Sequence, residues 1–199
     1  MTLIDTLTSR SDSRQLINAI RIASVVFIAA LTAAAAQISI PLPFTAVPFT
    51  FQPMVVLIGG LALGPRLGLA SQVLYLAAGI AGLPVFAASA TLPPGAGRLF
   101  GPTGGYLMAY PFAAFVAGHL GALGFDRRYL TSVVAMLAGL AIVFAGGVLW
   151  LSTLVGPQAA LMTGLYPFIV PDLLKVCAAA GVMPGVWRLF GYRPSTSKY

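Results

Sequence analysis

Residues 22–65 read IASVVFIAALTAAAAQISIPLPFTAVPFTFQPMVVLIGGLALGP, and these 44 residues contain no Asp, Glu, Lys or Arg. An α-helix needs about 20 apolar residues to cross the hydrocarbon core of a bilayer, so the stretch has room for two crossings. Three prolines within Ile40–Pro48 separate its two apolar halves, because proline cannot continue a helix. The stretch therefore predicts two membrane helices, at about 17–36 and 51–64, joined by a proline-rich loop.

The composition of the whole chain extends this pattern. Of the 199 residues, 59% are hydrophobic and 8% are charged, whereas an ordinary soluble domain carries about 25% charged residues. The chain is therefore predicted to be an all-α integral membrane protein with a single domain over residues 1–199. Charged or Gly/Pro-rich breaks such as Pro65-Arg66 divide it into a polar N-terminus, 1–16, and a bundle of six transmembrane helices, at about 17–36, 51–64, 67–81, 105–123, 130–151 and 168–188.

Basic residues indicate on which side of the membrane the termini lie. Six crossings place both termini on one side, and nine of the eleven Lys and Arg residues fall on that side. Because basic loops are retained in the cytoplasm, both termini are predicted to be cytoplasmic. The two exceptions, Arg98 and Lys175, fall on the outer side, and a ligand there is the simplest reason for both. Basic residues spread over short hydrophilic breaks do not indicate a nucleic-acid partner.

The last apolar segment contains an ionisable pair within Pro171-Asp172-Leu173-Leu174-Lys175. A carboxylate and an ammonium three residues apart share one face of a helix. An ionisable pair in a membrane segment is a functional-site hypothesis by default, because charge is costly in lipid. The alternative is structural: the two charges neutralise each other, or the lysine extends to the interface.

Arg98, Asp172 and Lys175 are predicted to meet at the outer face, where their charges sum to +1. Such a site suits a small monoanion that also donates hydrogen bonds to the carboxylate, because arginine or lysine binds a ligand carboxylate by a charge-assisted bond. Aromatic residues near these positions are predicted to form an apolar wall, with an interfacial belt as the alternative: Phe44, Phe49, Phe51, Phe86, Phe100, Tyr106, Tyr166 and Phe168.

The segment Gly101–Tyr106 opens the fourth predicted helix. Its glycines allow close backbone approach, and free N–H groups at a helix start favour anions. It is not a nucleotide-binding P-loop, because no Gly-Lys-Ser or Gly-Lys-Thr follows. The sequence has no ATPase motif, metal-ligand cluster or catalytic Ser/His/Asp set, so we expect no enzyme activity, cofactor or metal.

Small residues recur at four-residue spacing on the first predicted helix, as Ala29 with Ala33 and Ala30 with Ala34. This spacing allows two helices to pack closely. The four alanines are candidates for a partner-docking face, with packing inside the chain as the alternative.

Five segments in order carry a resemblance to a known family: Ile38–Gln52, Leu63–Gly68, Gly82–Phe86, Gly101–Tyr106 and Pro171–Lys175. They resemble the motifs of the BioY family, the biotin-binding membrane (S) components of energy-coupling-factor (ECF) vitamin transporters. The resemblance covers about residues 17–184, and its motifs are specific as a set.

The resemblance implies a six-helix bundle in the plasma membrane, with a biotin pocket facing outside. It implies membrane lipid, a transmembrane coupling subunit and ATPase subunits as partners, and leaves a homo-oligomer open. The chain has Pro171 where the family commonly has Gly, and Ser89 is the polar residue available after Phe86. The substrate-binding residues predicted from the motifs and the resemblance are Asp172, Lys175, Arg98, Tyr106, Gly104, Thr103, Gln52, Phe86 and Ser89.

Biotin fits the expected charges. Its ureido N–H groups suit Asp172, its ureido oxygen suits Lys175, and its carboxylate suits Arg98 or the N–H groups near Thr103–Gly105. The alternative places the carboxylate on Lys175. Competing hypotheses are an S component for another small anionic vitamin, an intramembrane enzyme with Asp172 as general base, and a purely structural subunit.

Overall fold

The computed structural model describes residues 2–8, 13–89 and 94–189, and its regular structure is helical apart from one short hairpin. Strands β1 (Ser39–Ile40) and β2 (Phe49–Thr50) pair antiparallel, with Ser39 opposite Thr50. Two 3-10 turns lie at Ala96–Phe100 and Phe125–Arg127. The α-helices are α1 (Leu3–Thr8), α2 (Arg14–Gln37), α3 (Gln52–Ile80), α4 (Gly104–Ala122), α5 (Tyr129–Val155), α6 (Pro157–Gly164), α7 (Tyr166–Ala179) and α8 (Val182–Leu189).

Helix α3 folds back on itself at Gly64, where φ is 80° and ψ is 179° and Pro65 follows. A Cβ placed at Gly68 would lie 3.0 Å from Cα of Gly60, although eight residues of a straight helix rise about 12 Å. The two halves therefore pack against each other as a tight helical hairpin. They correspond to the predicted helices at about 51–64 and 67–81, because left-handed glycine followed by proline ends a helix.

Helix α4 forms the centre of the bundle and packs chiefly against α3 and α5. Ala113, Ala114 and Ala117 are fully buried on it. A Cβ at Gly118 would meet the Gly60 carbonyl oxygen at 2.7 Å. Small residues thus allow the backbones of α3 and α4 to come into contact, as in close-packed membrane helices.

The described residues near the N-terminus include a short buried helix, which the sequence did not predict within the polar stretch 1–16. Helix α1 buries Ile4 at 3% exposure, and Ile4 packs in a small cluster with Ile28 and Leu63. The Ser13 hydroxyl accepts a hydrogen bond from the Leu16 amide at the start of α2, as a helix N-cap does.

The last predicted helix, at about 168–188, is instead two helices, α7 and α8, separated by Ala180-Gly181. Pro184 explains the break, because a proline ring clashes with the carbonyl four residues earlier, here that of Ala180. In the first turn of α8 the missing proline N–H is tolerated. The segment between the fifth and sixth predicted helices also contains a helix, α6.

Four helical segments of the described chain are long and apolar enough to cross a membrane: α2, α3, α5 and the run Pro157–Leu189. The hairpin of α3 counts once in this set although its halves fold back. Helix α4 has 19 residues and lies largely inside the bundle.

Candidate functional site

A cavity of about 260 Å³ lies where the β1–β2 loop, the start of α4 and the middle of α7 meet. Its lining includes eight of the nine predicted substrate-binding residues. These are Asp172, Lys175, Arg98, Tyr106, Thr103, Gln52, Phe86 and Ser89. The ninth, Gly104, does not line it. Residues distant in sequence are thus brought to one cavity at one end of the bundle.

Asp172 and Lys175 form a buried ion pair on α7, with Lys175 Nζ donating to Asp172 Oδ1 at 2.6 Å. The spacing of three residues puts both side chains on one helix face. Lys175 Nζ also donates to the Thr50 carbonyl oxygen at 2.7 Å and lies 3.5 Å from the centroid of the Phe49 ring. Asp172 Oδ2 accepts no hydrogen bond from the described residues, so it is available to a ligand donor.

Arg98 is the second cation of the cavity and is 8% exposed. It lies on the 3-10 turn Ala96–Phe100, and its Nη2 donates to the Ala87 carbonyl oxygen at 2.7 Å. Its Nε is buried without a partner among the described residues. Burial lowers the pKa of the Arg98 guanidinium, because desolvation disfavours its charge. A ligand anion beside the guanidinium would favour its charged form and so offset the effect of desolvation.

Gln52 starts α3 and is held by a relay of hydrogen bonds. Its Nε2 donates to the Tyr75 hydroxyl at 2.6 Å, and that hydroxyl donates to the Val85 carbonyl oxygen at 3.2 Å. The relay fixes the amide orientation, because the Tyr75 proton is already donated. The Gln52 amide oxygen accepts no bond from the described residues and is a second free acceptor at the cavity.

Tyr106 presents its ring to the cavity, but its hydroxyl donates to the Gly164 carbonyl oxygen at 2.7 Å. The bond ties α4 to the junction of α6 and α7. Trp150 Nε1 donates to the Gly101 carbonyl oxygen at 3.0 Å, which fixes the turn before α4. A Cβ at Gly104 would overlap the Leu99 carbonyl group, so this glycine serves close packing.

Of the predicted aromatic wall, Phe86, Tyr106 and Phe168 line the cavity. Phe49 and Phe51 flank the Lys175 ammonium instead. The remaining three are mostly exposed, which fits the interfacial alternative: Phe44 at 59%, Phe100 at 71% and Tyr166 at 54%.

The sequence prediction missed several lining residues, among them Thr45, Tyr110 and Phe144. Tyr110 has a signal in the sequence, because it follows Tyr106 by four residues and so shares its helix face. The Tyr110 hydroxyl makes no hydrogen bond to the described residues. It therefore adds a further polar group to the cavity.

The four alanines of α2 divide into two faces. Ala29 is buried in the core and Ala33 packs against that core, whereas Ala30 and Ala34 are exposed. Internal packing therefore accounts for the first pair, and the surface pair alone is accessible to a partner. Among the described residues, no group of three or more His, Cys, Asp or Glu is placed to hold a metal.

Comparison with known proteins gives the chain its relatives. The model of the BioY family matches residues 9–192. A probable biotin transporter BioY of Pyrococcus horikoshii is 42% identical over 156 residues, which cover 78% of this chain and 88% of that protein. The biotin transporter BioY of Thermotoga maritima is 38% identical over 152 residues, covering 76% and 86%.

The fold has a solved counterpart. A crystal structure described as the S-component for biotin from an ECF-type ABC transporter superposes with a TM-score of 0.78 at 25% identity. The match covers 89% of this chain and 95% of that one. With the family model matching nearly the whole length, the chain belongs to the BioY family.

Proposed function

We propose that this protein is the membrane component that captures biotin for an ECF-type uptake transporter. The observation that carries the proposal is the free carboxylate oxygen of Asp172 in the same cavity as the buried Arg98 guanidinium. Biotin offers N–H donors at its ureido head and a carboxylate at its tail. One biotin molecule can therefore bind both the Asp172 carboxylate and the Arg98 guanidinium. The relatives are named transporters, which supports transport and not catalysis.

The binding mode follows from the charges. The ureido N–H groups donate hydrogen bonds to Asp172, and the thioether ring packs against Phe86 and Phe168. The ligand carboxylate binds Arg98, or the amide groups near Thr103 and Gly104. Asp172, Lys175 and Arg98 sum to +1, so a monoanion neutralises the site. Desolvated charges require such a match, because an unpaired one is costly.

We place the cavity at the extracellular side and both termini in the cytoplasm. The six crossings are α2, the two halves of α3, α4, α5 and the segment 157–189. Gly64 lies beside Thr2 and beside Gly118 near the end of α4, and Trp187 of α8 donates to Asp126, so α1, the α3 turn, the α4–α5 turn and α8 share one end of the bundle. That end carries most of the basic residues that the structure describes, as expected for the cytoplasmic side.

The transporter supplies energy through other subunits in this proposal. The chain contains no ATPase motif, so a transmembrane coupling subunit and ATPase subunits are its expected partners. Ala30 and Ala34 offer the exposed small-residue face on which another helix can pack closely.

The experiment is identification of the ligand that copurifies with the protein, by mass spectrometry, followed by titration of the emptied protein with biotin. We expect biotin, chemically unchanged, and saturable binding of one equivalent. Recovery of a different vitamin would support another small anionic substrate. Absence of binding in the titration would refute the proposal.

A further inference from the structure

The ammonium of Lys175 lies at the cavity wall, and the contacts it makes there are to protein. A lysine ammonium has three N–H donors. One is given to Asp172 Oδ1 at 2.6 Å and one to the Thr50 carbonyl oxygen at 2.7 Å. Nζ also lies 3.5 Å from the centroid of the Phe49 ring and 5.5 Å from that of Phe51. From these contacts we infer that the ammonium is engaged by protein and not by a ligand carboxylate.

These contacts join two parts of the fold that are 125 residues apart in sequence. Asp172 belongs to α7, whereas Thr50 and Phe49 form β2. The loop that β1 and β2 enclose supplies Pro41, Thr45, Ala46, Val47 and Pro48 to the cavity wall. The hairpin has only two paired residues on each strand, and an isolated short hairpin is marginally stable. Its attachment to α7 therefore depends heavily on Lys175.

We propose that Lys175 is a positioning residue, a latch that holds the β1–β2 loop closed over the cavity and orients the free oxygen of Asp172 toward the ligand. This inference rests on the proposed biotin site. It assigns the ligand carboxylate to Arg98, whose Nε has no partner among the described residues. Lys175 then contributes equally to binding of charged and uncharged ligands, because its own charge is spent on Asp172, Thr50 and Phe49.

The first test measures hydrogen–deuterium exchange of peptides covering residues 42–50 in the ligand-free protein. We expect faster exchange in Lys175→Met and in Phe49→Leu than in the parent. Phe49→Tyr keeps an aromatic face toward the ammonium and should restore parental exchange. Phe49 does not line the cavity, so this pair changes the latch without touching the ligand. It also keeps the test valid if Lys175→Met folds poorly.

The second test compares the dissociation constants of biotin and an uncharged biotin amide. Lys175→Met should weaken both by the same factor, about 10-fold or more for loss of a charge-assisted bond. Phe49→Leu should weaken both about fivefold or more, in the range of a desolvated cation–π contact. Arg98→Ala should reduce the preference for biotin over the amide.

Two results would overturn the latch. One is parental exchange over residues 42–50 in both Lys175→Met and Phe49→Leu. The other is a Lys175→Met protein that loses biotin selectively while keeping the amide, which would make Lys175 the carboxylate ligand. A parent that binds no biotin refutes the proposed function instead, and the exchange experiment still decides whether the latch exists.

Discussion

At the scale of single residues, the proposed binding mode assigns the head of the ligand to Asp172 and its tail to Arg98. Asp172→Asn removes the negative charge and turns one acceptor oxygen into a donor, so a ureido N–H faces another N–H and Lys175 loses its counter-charge. Leaving a buried charge unpaired costs about 3–5 kcal/mol, and each 1.4 kcal/mol is about tenfold in affinity. We expect biotin binding, measured by titration, to fall at least about a hundredfold.

The same variant should weaken biotin and its uncharged amide alike, whereas Arg98→Ala should weaken biotin more than the amide. This crossed pattern separates head recognition from tail recognition. If Asp172→Asn binds biotin within a few-fold of the parent, the carboxylate of Asp172 has a structural role.

Asp126 is a second buried carboxylate, away from the cavity, and it gives a pH prediction. Trp187 Nε1 donates to its Oδ2 at 2.6 Å, while Oδ1 is buried without a partner among the described residues. Burial raises the pKa of Asp126, although the Trp187 bond opposes the rise. A pKa above its unfolded value means that the folded state binds the proton more tightly. The resulting stabilisation is full below about pH 4 and is lost as the pH rises through the raised pKa.

Asp126→Asn remains neutral and can still accept the Trp187 bond. We therefore expect the melting temperature of the variant in detergent to rise relative to that of the parent as the pH increases from about 4 through the raised pKa of Asp126. A difference between variant and parent that stays constant over this range would contradict the prediction.

The charged residues of the cavity could be predicted from the sequence because charge is rare and costly in a membrane segment. The partners of each polar group could not. Lys175 is bound to Thr50 and Tyr106 to Gly164, contacts that depend on how distant helices pack. Tyr110 was missed because a tyrosine within an apolar helix looks like a core residue until the cavity beside it is known.

At the scale of elements, the helix breaks that proline or charged residues cause directly could be predicted from the sequence. The Gly64-Pro65 turn of α3 lies one residue from the predicted break. The break between α7 and α8 was missed, because its cause, Pro184, lies three residues after Gly181 and apolar residues continue across it. Helix α1 was missed because its burial depends on packing near Ile28 and Leu63.

The exposed and buried alanines of α2 allow a role in partner docking to be tested separately from a role in folding. Ala30→Leu and Ala34→Leu enlarge exposed positions, so we expect them to impair biotin uptake by cells while detergent-purified protein binds biotin as the parent does. Ala29→Leu is the matched change at a position 7% exposed, and overpacking there should reduce thermal stability. Equal loss of binding in the exposed and buried variants would assign all these positions to internal packing.

At the scale of the whole molecule, the bundle has two chemically different ends. Among the described residues, Arg66, Arg127 and Arg128 lie at the end of the α3 turn and the α4–α5 turn, whereas the cavity at the other end contains Arg98 and the Asp172–Lys175 pair. In the topology that we propose, the two cations at the cavity run against the positive-inside rule. Their burial and hydrogen bonds indicate a site, because a mere interfacial anchor would extend its charge into water.

This arrangement predicts which residues a membrane-impermeant thiol reagent reaches in intact cells. Cys177 is exposed and is the single cysteine, so the background for labelling is Cys177→Ala. In that background Ser89→Cys, an exposed position at the cavity, should be labelled from outside, and more slowly when biotin is present. Gln15→Cys, exposed at the start of α2, should be labelled only after the cells are permeabilised. The reverse pattern would place the cavity in the cytoplasm, where a protein that captures biotin for import would have no use for it.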